Sequence, residues 1–303
     1  MSELQELVGD ELRTPVDTRV AAIGSAIAAK HGQASRAVLF YGSCLREREL
    51  DGRMLDFYLI VSDYRLAYGK RWLAVANRLI PPNVFYFEHD GLAAKYAVLS
   101  EPDFAHECSR NAWTVSTAAR FAQPSRLVWS ADEKAAEQAI DAVANAGPTL
   151  LGWALPVSST GGSENLWERA FSLTFNSELR AERGDRAAAL VKADRDRYDR
   201  FGSLALKEIT REAGVRTSGE AALSRTRRQA ERWWRRKQRK GKLYSVARLA
   251  KASLTFAGGA EYIAWKINRH AGTDIRLSPW QRRHPLLAGL TLLPRLLKSG
   301  AVR

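Results

Sequence analysis

Along the first half of the chain the spacing of apolar positions changes in a readable order. Leu4, Leu7, Val8 and Leu12, then Val20, Ile23 and Ile27, recur at three- and four-residue steps, which predicts helix over 3–32 with a division at Pro15. RAVLFYGS (36–43) is a short apolar strand that stops at a Gly-Ser pair. MLDFYLIV (54–61) is a second strand, and its fully apolar tail predicts a central place in a sheet. A helix is expected over 65–79, ended by Pro81-Pro82. NVFYFE (83–88) and AAKYAVLS (93–100) read as neighbouring strands joined by the EHDGL turn. A helix over 101–122, a strand SRLVW (125–129) and a helix over 132–148 stopped by Gly147-Pro148 complete this part.

Beyond it, PVSSTGGSEN (156–165) has the composition of a linker, and 165–213 read as mainly helical. The pattern predicts an α/β (α+β) domain at 1–150 with a mixed sheet and flanking helices. A mainly helical part follows at 151–245, and a basic, amphipathic segment at 246–303.

Composition narrows the setting. With 46% apolar and 9% aromatic residues the chain is a folding one. Two cysteines, Cys44 and Cys108, make no disulfide framework and fit a reducing compartment. The start, MSELQELVGDELRTPVD, is acidic and polar and lacks the pattern of a secretory signal. The net charge of +14 favours polyanionic partners.

Much of that charge lies in RTRRQAERWWRRKQRKGK (225–242), where ten of eighteen residues are Lys or Arg. Three readings stand: a nucleic-acid surface with Trp233 and Trp234 stacked on bases, an anionic membrane surface, or a solvated helix face with both tryptophans turned inward. The leucine-rich end HPLLAGLTLLPRLLKSGAVR (284–303) favours the membrane, although it also suits packing on the chain itself or on a second copy in a homo-oligomer. No apolar run approaches the ~20 residues that span a bilayer.

The chemistry concentrates in FYGSCLRERELDGRMLDFYLIV (40–61). A triphosphate needs close backbone N–H groups, which Gly42 permits, and a hydroxyl such as that of Ser43. A carboxylate on the next strand, Asp56, can hold Mg²⁺. Gly-Ser followed by an Asp after twelve intervening residues, at the start of an apolar strand, resembles the nucleotidyltransferase sites of the DNA polymerase beta type. Such sites usually carry a second acid two residues later; here that place is Tyr58. A tight turn with a solvated acid accounts for the same letters. Glu88, at the end of its strand, is a candidate second acid, or a solvated strand end. Lys95 is a phosphate ligand or a snorkelling strand lysine. Arg120 offers a guanidinium for phosphate, or is a surface residue. The five histidines are scattered and form no metal pair at helical spacing.

The ordered segments YGS (41–43), MLDF (54–57), VFYF (84–87), KYAVLS (95–100) and RFAQPSRLV (120–128) together resemble the mitochondrial-type phosphatidate cytidylyltransferases. These form the translocator assembly and maintenance family of the nucleotidyltransferase superfamily, and they also lack the second acid. NSELRAER (176–183) and TFAGGAEYIAWKI (255–267) are similar to two later segments of that family. Cys44 stands where the family has glycine.

The resemblance implies a winged-helix-like second part and a reaction of CTP with phosphatidic acid to give CDP-diacylglycerol and pyrophosphate. The expected setting is an anionic membrane, either the cytoplasmic side of an inner membrane or the matrix side in mitochondria. It further implies Tyr41, Gly42, Ser43 and Arg120 at the nucleotide, Asp56 on Mg²⁺ with Glu178 as the second acid in place of Glu88, Lys95 at the reacting phosphate, and Arg180 and Lys266 at the lipid phosphate. Transfer to RNA or protein, or a silent lipid- or RNA-binding role, are the alternatives.

Overall fold

The strands form where the apolar runs are densest. The computed structural model describes residues 2–47, 49–158, 163–177, 186–213, 220–255 and 278–280. Its elements are α1 (Glu3–Arg13), α2 (Thr18–His31), β1 (Ser35–Tyr41), α3 (Ser43–Glu47), β2 (Met54–Val61), α4 (Tyr64–Ala67), α5 (Arg71–Leu79), β3 (Asn83–His89), β4 (Leu92–Ser100), α6 (Glu101–Glu107), α7 (Ser116–Phe121), β5 (Ser125–Ser130), α8 (Glu133–Ala154), α9 (Ser163–Phe175), α10 (Arg186–Lys192), α11 (Arg195–Ala213) and α12 (Glu220–Thr255).

The five strands make one mixed sheet in the order β3-β4-β2-β1-β5. β2 is central, antiparallel to β1 and parallel to β4. The β3–β4 hairpin turns at Asp90 and Gly91, both left-handed with φ of 48° and 75°, which is the backbone that an Asp-Gly pair favours in a two-residue turn.

Alternation along the strands feeds two cores. Val38, Phe40, Leu55, Phe57, Leu59, Tyr96 and Val98 pack with α2, α4 and α5 on one face. Leu39, Tyr58, Ile60, Ala97 and Leu99 pack with α1, α6, α7 and α8 on the other. This second core continues without a break into α9, α10, α11 and Trp234. α11 is tied to α1 by a buried pair in which Arg197 Nη2 donates to Glu11 Oε1 at 2.9 Å. The mixed α/β architecture thus matches the expectation. The expected junction at 150/151 falls inside α8, and among the described residues no strand follows Ser130.

Three expected elements differ. The helix over 65–79 is two helices, because Tyr68 leaves the helical path to bury its ring beside Tyr64 and Phe85. The helix over 101–122 breaks after Glu107. That side chain is only 2% exposed, and it accepts the Trp113 N–H at 2.9 Å and the Thr114 hydroxyl at 2.6 Å, so it organises a loop. Gly147-Pro148 does not stop α8, which continues to Ala154. Proline inside a helix loses a hydrogen bond and costs about 3 kcal/mol. Burial of Thr149, Leu150, Leu151, Trp153 and Ala154 on the same helix offsets that cost.

The basic run lies within α12. Trp234 is buried and its indole N–H donates to the Trp153 carbonyl at 2.9 Å, while Trp233 packs on Trp153 with ring centres 5.5 Å apart. Both tryptophans therefore face inward, which removes them from base stacking. Further along α12, Lys237 donates to Trp113 O at 3.0 Å, Arg248 to Pro81 O at 2.7 Å and Lys251 to Pro82 O at 2.8 Å. Burial draws the Lys251 ammonium down to about 7. Among the described residues no helix is long and apolar enough to cross a membrane. The leucine-rich 284–303 stretch lies outside the described residues.

His31 ends α2 between two partners. Its Nδ1 lies 2.9 Å from Ala67 O and its Nε2 lies 3.0 Å from the Tyr96 hydroxyl. A neutral ring with its proton on Nδ1 satisfies both, and burial holds the His31 pKa below the usual histidine value. The unfolded chain then takes up this proton first as pH falls below about 6.5, so stability is full above that value and declines beneath it. In urea titrations between about pH 7 and 5, wild type should lose more stability than His31→Gln. Equal slopes would show that the ring is not held neutral.

Candidate active site

Directly opposed residues form a row across the sheet. Tyr86 on β3 faces Lys95 on β4, Lys95 faces Asp56 on β2, and Asp56 faces Tyr41 on β1, which faces Ser125 on β5. Opposed positions project to the same side of a sheet, and here that side is the one covered by α1 and α6–α8. The row lies where β1 ends and where β2 and β4 begin. Lys95 Nζ sits 3.0 Å from Asp56 Oδ1, with the lysine side chain 45% exposed and the aspartate 19%. The pair therefore stands at the rim of the core, open to a ligand.

Gly42 completes the constellation. Its φ is +98°, and a Cβ built there would lie 2.9 Å from Asp56 Oδ2. Glycine is required twice over, by the backbone and by the carboxylate. The chain then turns directly into α3, whose first residue is Ser43, and the Arg46 N–H donates to Gly42 O at 3.4 Å. Cys44 is buried with its sulfur 3.5 Å from Met54 O. Burial, helped by the Asp56 charge, raises the Cys44 thiol pKa, so it stays a neutral packing group.

Tyr58, in the place of a second acid, is 2% exposed. Its ring lies 5.4 Å from that of Tyr41 and 5.1 Å from that of Phe121. Tyr58 is thus part of the aromatic floor beneath the row.

Arg46 was not singled out from the sequence. Its Nη1 donates to Gln123 Oε1 at 3.3 Å. Burial lowers its pKa, with the Tyr198, Arg186, Glu47 and Asp56 charges acting on it. An arginine four residues after the glycine, on the helix that the glycine launches, was the available signal.

The structure brings Tyr41, Gly42, Ser43, Asp56 and Lys95 together. Arg120 lies in α7 beside Phe121, whose ring is 5.8 Å from that of Tyr41. Glu88 stands apart. It faces Ala93, two residue pairs along from the row and two strands from Asp56, is exposed, and accepts the Tyr86 hydroxyl at 3.0 Å. Glu178, Arg180 and Lys266 lie outside the described residues.

Among the described residues no group of three His, Cys, Asp or Glu side chains converges. Among the described residues of the row, Asp56 is the carboxylate that could hold Mg²⁺, a mode in which substrate phosphates and water fill the remaining positions. No family model matches the chain, and no curated protein matches it.

The two key substitutions should separate by mechanism. Asp56→Asn removes a rim ion pair and should change the unfolding free energy by only about 0–1 kcal/mol. Gly42→Ala forces a strained backbone and crowds Asp56, and should cost about 1–3 kcal/mol. Chemical denaturation of both variants measures the difference. Equal, small effects would mean that the bend does not constrain Asp56.

Proposed function

We propose that this chain is a Mg²⁺-dependent nucleotidyltransferase that joins the cytidylyl group of CTP to phosphatidic acid at an anionic membrane surface. On this reading 1–150 is the nucleotidyltransferase domain and the helical part that follows is winged-helix-like. The setting is the cytoplasmic side of an inner membrane, or the matrix side in mitochondria. The observation that carries it is the meeting of Gly42, Asp56 and Lys95 in one rim site, with the Asp56–Lys95 pair at 3.0 Å and room at Gly42 only for hydrogen.

Each residue has a task. The bend at Gly42 lets a triphosphate approach the backbone, and the Ser43 hydroxyl donates to a phosphate oxygen. Lys95 and Arg46 supply positive charge where phosphate charge gathers, and Arg120 adds a guanidinium from α7. Tyr41 and Tyr58 floor the site. When bound at Asp56, Mg²⁺ neutralises the triphosphate and eases pyrophosphate departure.

An oxygen of the phosphatidate phosphate forms the new bond to the α-phosphorus, and the bond to the bridging oxygen of pyrophosphate breaks. The attacking oxygen is already anionic, so no general base is required. Orientation and charge carry the acceleration.

Incubation of the purified protein with labelled CTP, phosphatidic acid and Mg²⁺ should yield CDP-diacylglycerol and pyrophosphate. Asp56→Asn and Lys95→Ala should each lower the rate by about 10²-fold or more while leaving the fold intact. Absence of product across lipid and metal conditions, or full activity in Asp56→Asn, would overturn the assignment. Labelling of RNA or protein instead would transfer it to another acceptor.

A further inference from the structure

The helices α4 and α5 cover part of the sheet yet turn large apolar side chains outward. Leu66 on α4 is 73% exposed, and Trp72, Val75 and Leu79 on α5 are 46%, 57% and 68% exposed. At 100° per residue the three α5 positions form a stripe about 60° wide, opposite Ala74 and Asn77, which are buried. The same segment carries four exposed cations, Arg65, Lys70, Arg71 and Arg78.

Its single acid, Asp63, caps α4, where its Oδ1 accepts the Arg65 N–H at 2.6 Å and the Leu66 N–H at 3.4 Å; its Oδ2 lies 3.9 Å from Arg78 Nη2, a loose and exposed pair that still leaves the segment with a net positive charge. Arg71 and Arg78 border the stripe on one side. The back of α5 is held firmly: Asn77 is fully buried and its Nδ2 donates to Val98 O at 3.0 Å.

We infer that α4 and α5 form a docking face for an anionic lipid bilayer, with Leu66, Trp72, Val75 and Leu79 entering the interface and Arg65, Lys70, Arg71 and Arg78 meeting lipid phosphates. The inference deepens the proposed function by naming the surface that meets the lipid phase. Charge selects this occupant. A helix with an apolar stripe, a tryptophan and flanking cations is suited to lie in the plane of a membrane surface.

The chain's own leucine-rich end complements the stripe poorly. It carries Arg295, Lys298 and Arg303 and has no acid after Asp274, so it would bring like charge against α5. A second copy docking through the same face meets the same repulsion.

Cys44 and Cys108 are both buried, so a Val75→Cys variant of the full chain offers one accessible thiol for a polarity-sensitive fluorophore. Vesicles of phosphatidylcholine with phosphatidylglycerol should blue-shift the label and brighten it several-fold. Vesicles of phosphatidylcholine alone should not. Sedimentation with the mixed vesicles should weaken by roughly fivefold for each cation removed in Arg71→Gln and Arg78→Gln, the equivalent of about 1 kcal/mol each. It should also weaken in Leu66→Ser and Leu79→Ser, whose side chains are too exposed to threaten the fold.

A silent label on protein that sediments with vesicles would overturn the inference, because the membrane would then be met elsewhere. So would a label already in an apolar environment without vesicles, or one that responds to protein concentration, since the chain's own end or a second copy would then cover the face. Failure to bind the mixed vesicles at all would also sink it. None of these readouts uses CTP. A chain that docks but makes no CDP-lipid keeps this inference and loses the proposed reaction, and the reverse result does the opposite.

Discussion

The candidate site rests on a steric allowance at one atom. Asp56 lies opposite Tyr41 in the β1–β2 ladder, and the next residue of β1's path, Gly42, bends so closely over the carboxylate that a methyl group would sit 2.9 Å from Oδ2. Because β2 is also paired in parallel with β4, the same ladder sets Lys95 against the other carboxylate oxygen. A one-residue slip in either pairing would move the whole row to the opposite face. The apolar alternation that buries Phe57 on one side and Tyr58 on the other fixes that register. Chemistry at the rim and packing in the core are therefore specified by the same residues.

α12 shows the opposite arrangement, in which charge takes a role usually given to apolar packing. Trp233 and Trp234 anchor it on Trp153, but beyond them its inward contacts are cations on carbonyl groups at the loops 80–82 and 112–113. Those loops have carbonyls without strand or helix partners, and long cationic side chains reach them. The cost is desolvation, visible in the lowered pKa of Lys251 and of Lys237. A helix so held depends on the loop geometry that Asn77 and Asn83 maintain at the end of α5.

The legible part of the sequence was the part governed by local period and punctuation. All five strands, the hairpin at Asp90-Gly91, the split at Pro15 and the central place of β2 follow from alternation and turn residues. The errors have one kind of cause. Tyr68 broke a helix for the sake of its ring, Glu107 broke another by capturing backbone donors, and Pro148 failed to break a third because the residues after it are buried. Each outcome was decided by tertiary contacts that a window of residues does not contain. At the site, Asp56, Gly42, Ser43 and Lys95 were readable as types at a spacing. Arg46 had one local cue, its place four residues after Gly42, while the hydrogen bond that holds it reaches Gln123, far away in the chain.

If the proposed reaction and the inferred docking face are taken together, the positions of the rim row and of α4–α5 constrain how a lipid could reach the site. α4 leaves the sheet after Val61, at the far end of β2 from Asp56. Five residues at about 3.3 Å each put roughly 17 Å between those points along the strand. A bilayer lying flat across that end would hold its phosphates too far from Lys95. The β3 edge offers a shorter route: α5 runs through Ile80, Pro81 and Pro82 into β3, and four residues after Pro82 stands Tyr86, directly opposite Lys95. α12 reaches the same edge, with Arg248 and Lys251 fixed on that loop. On the proposed reading, a protein seated on its β3 edge would have the row one strand from that edge, with Tyr86 between Lys95 and the surface.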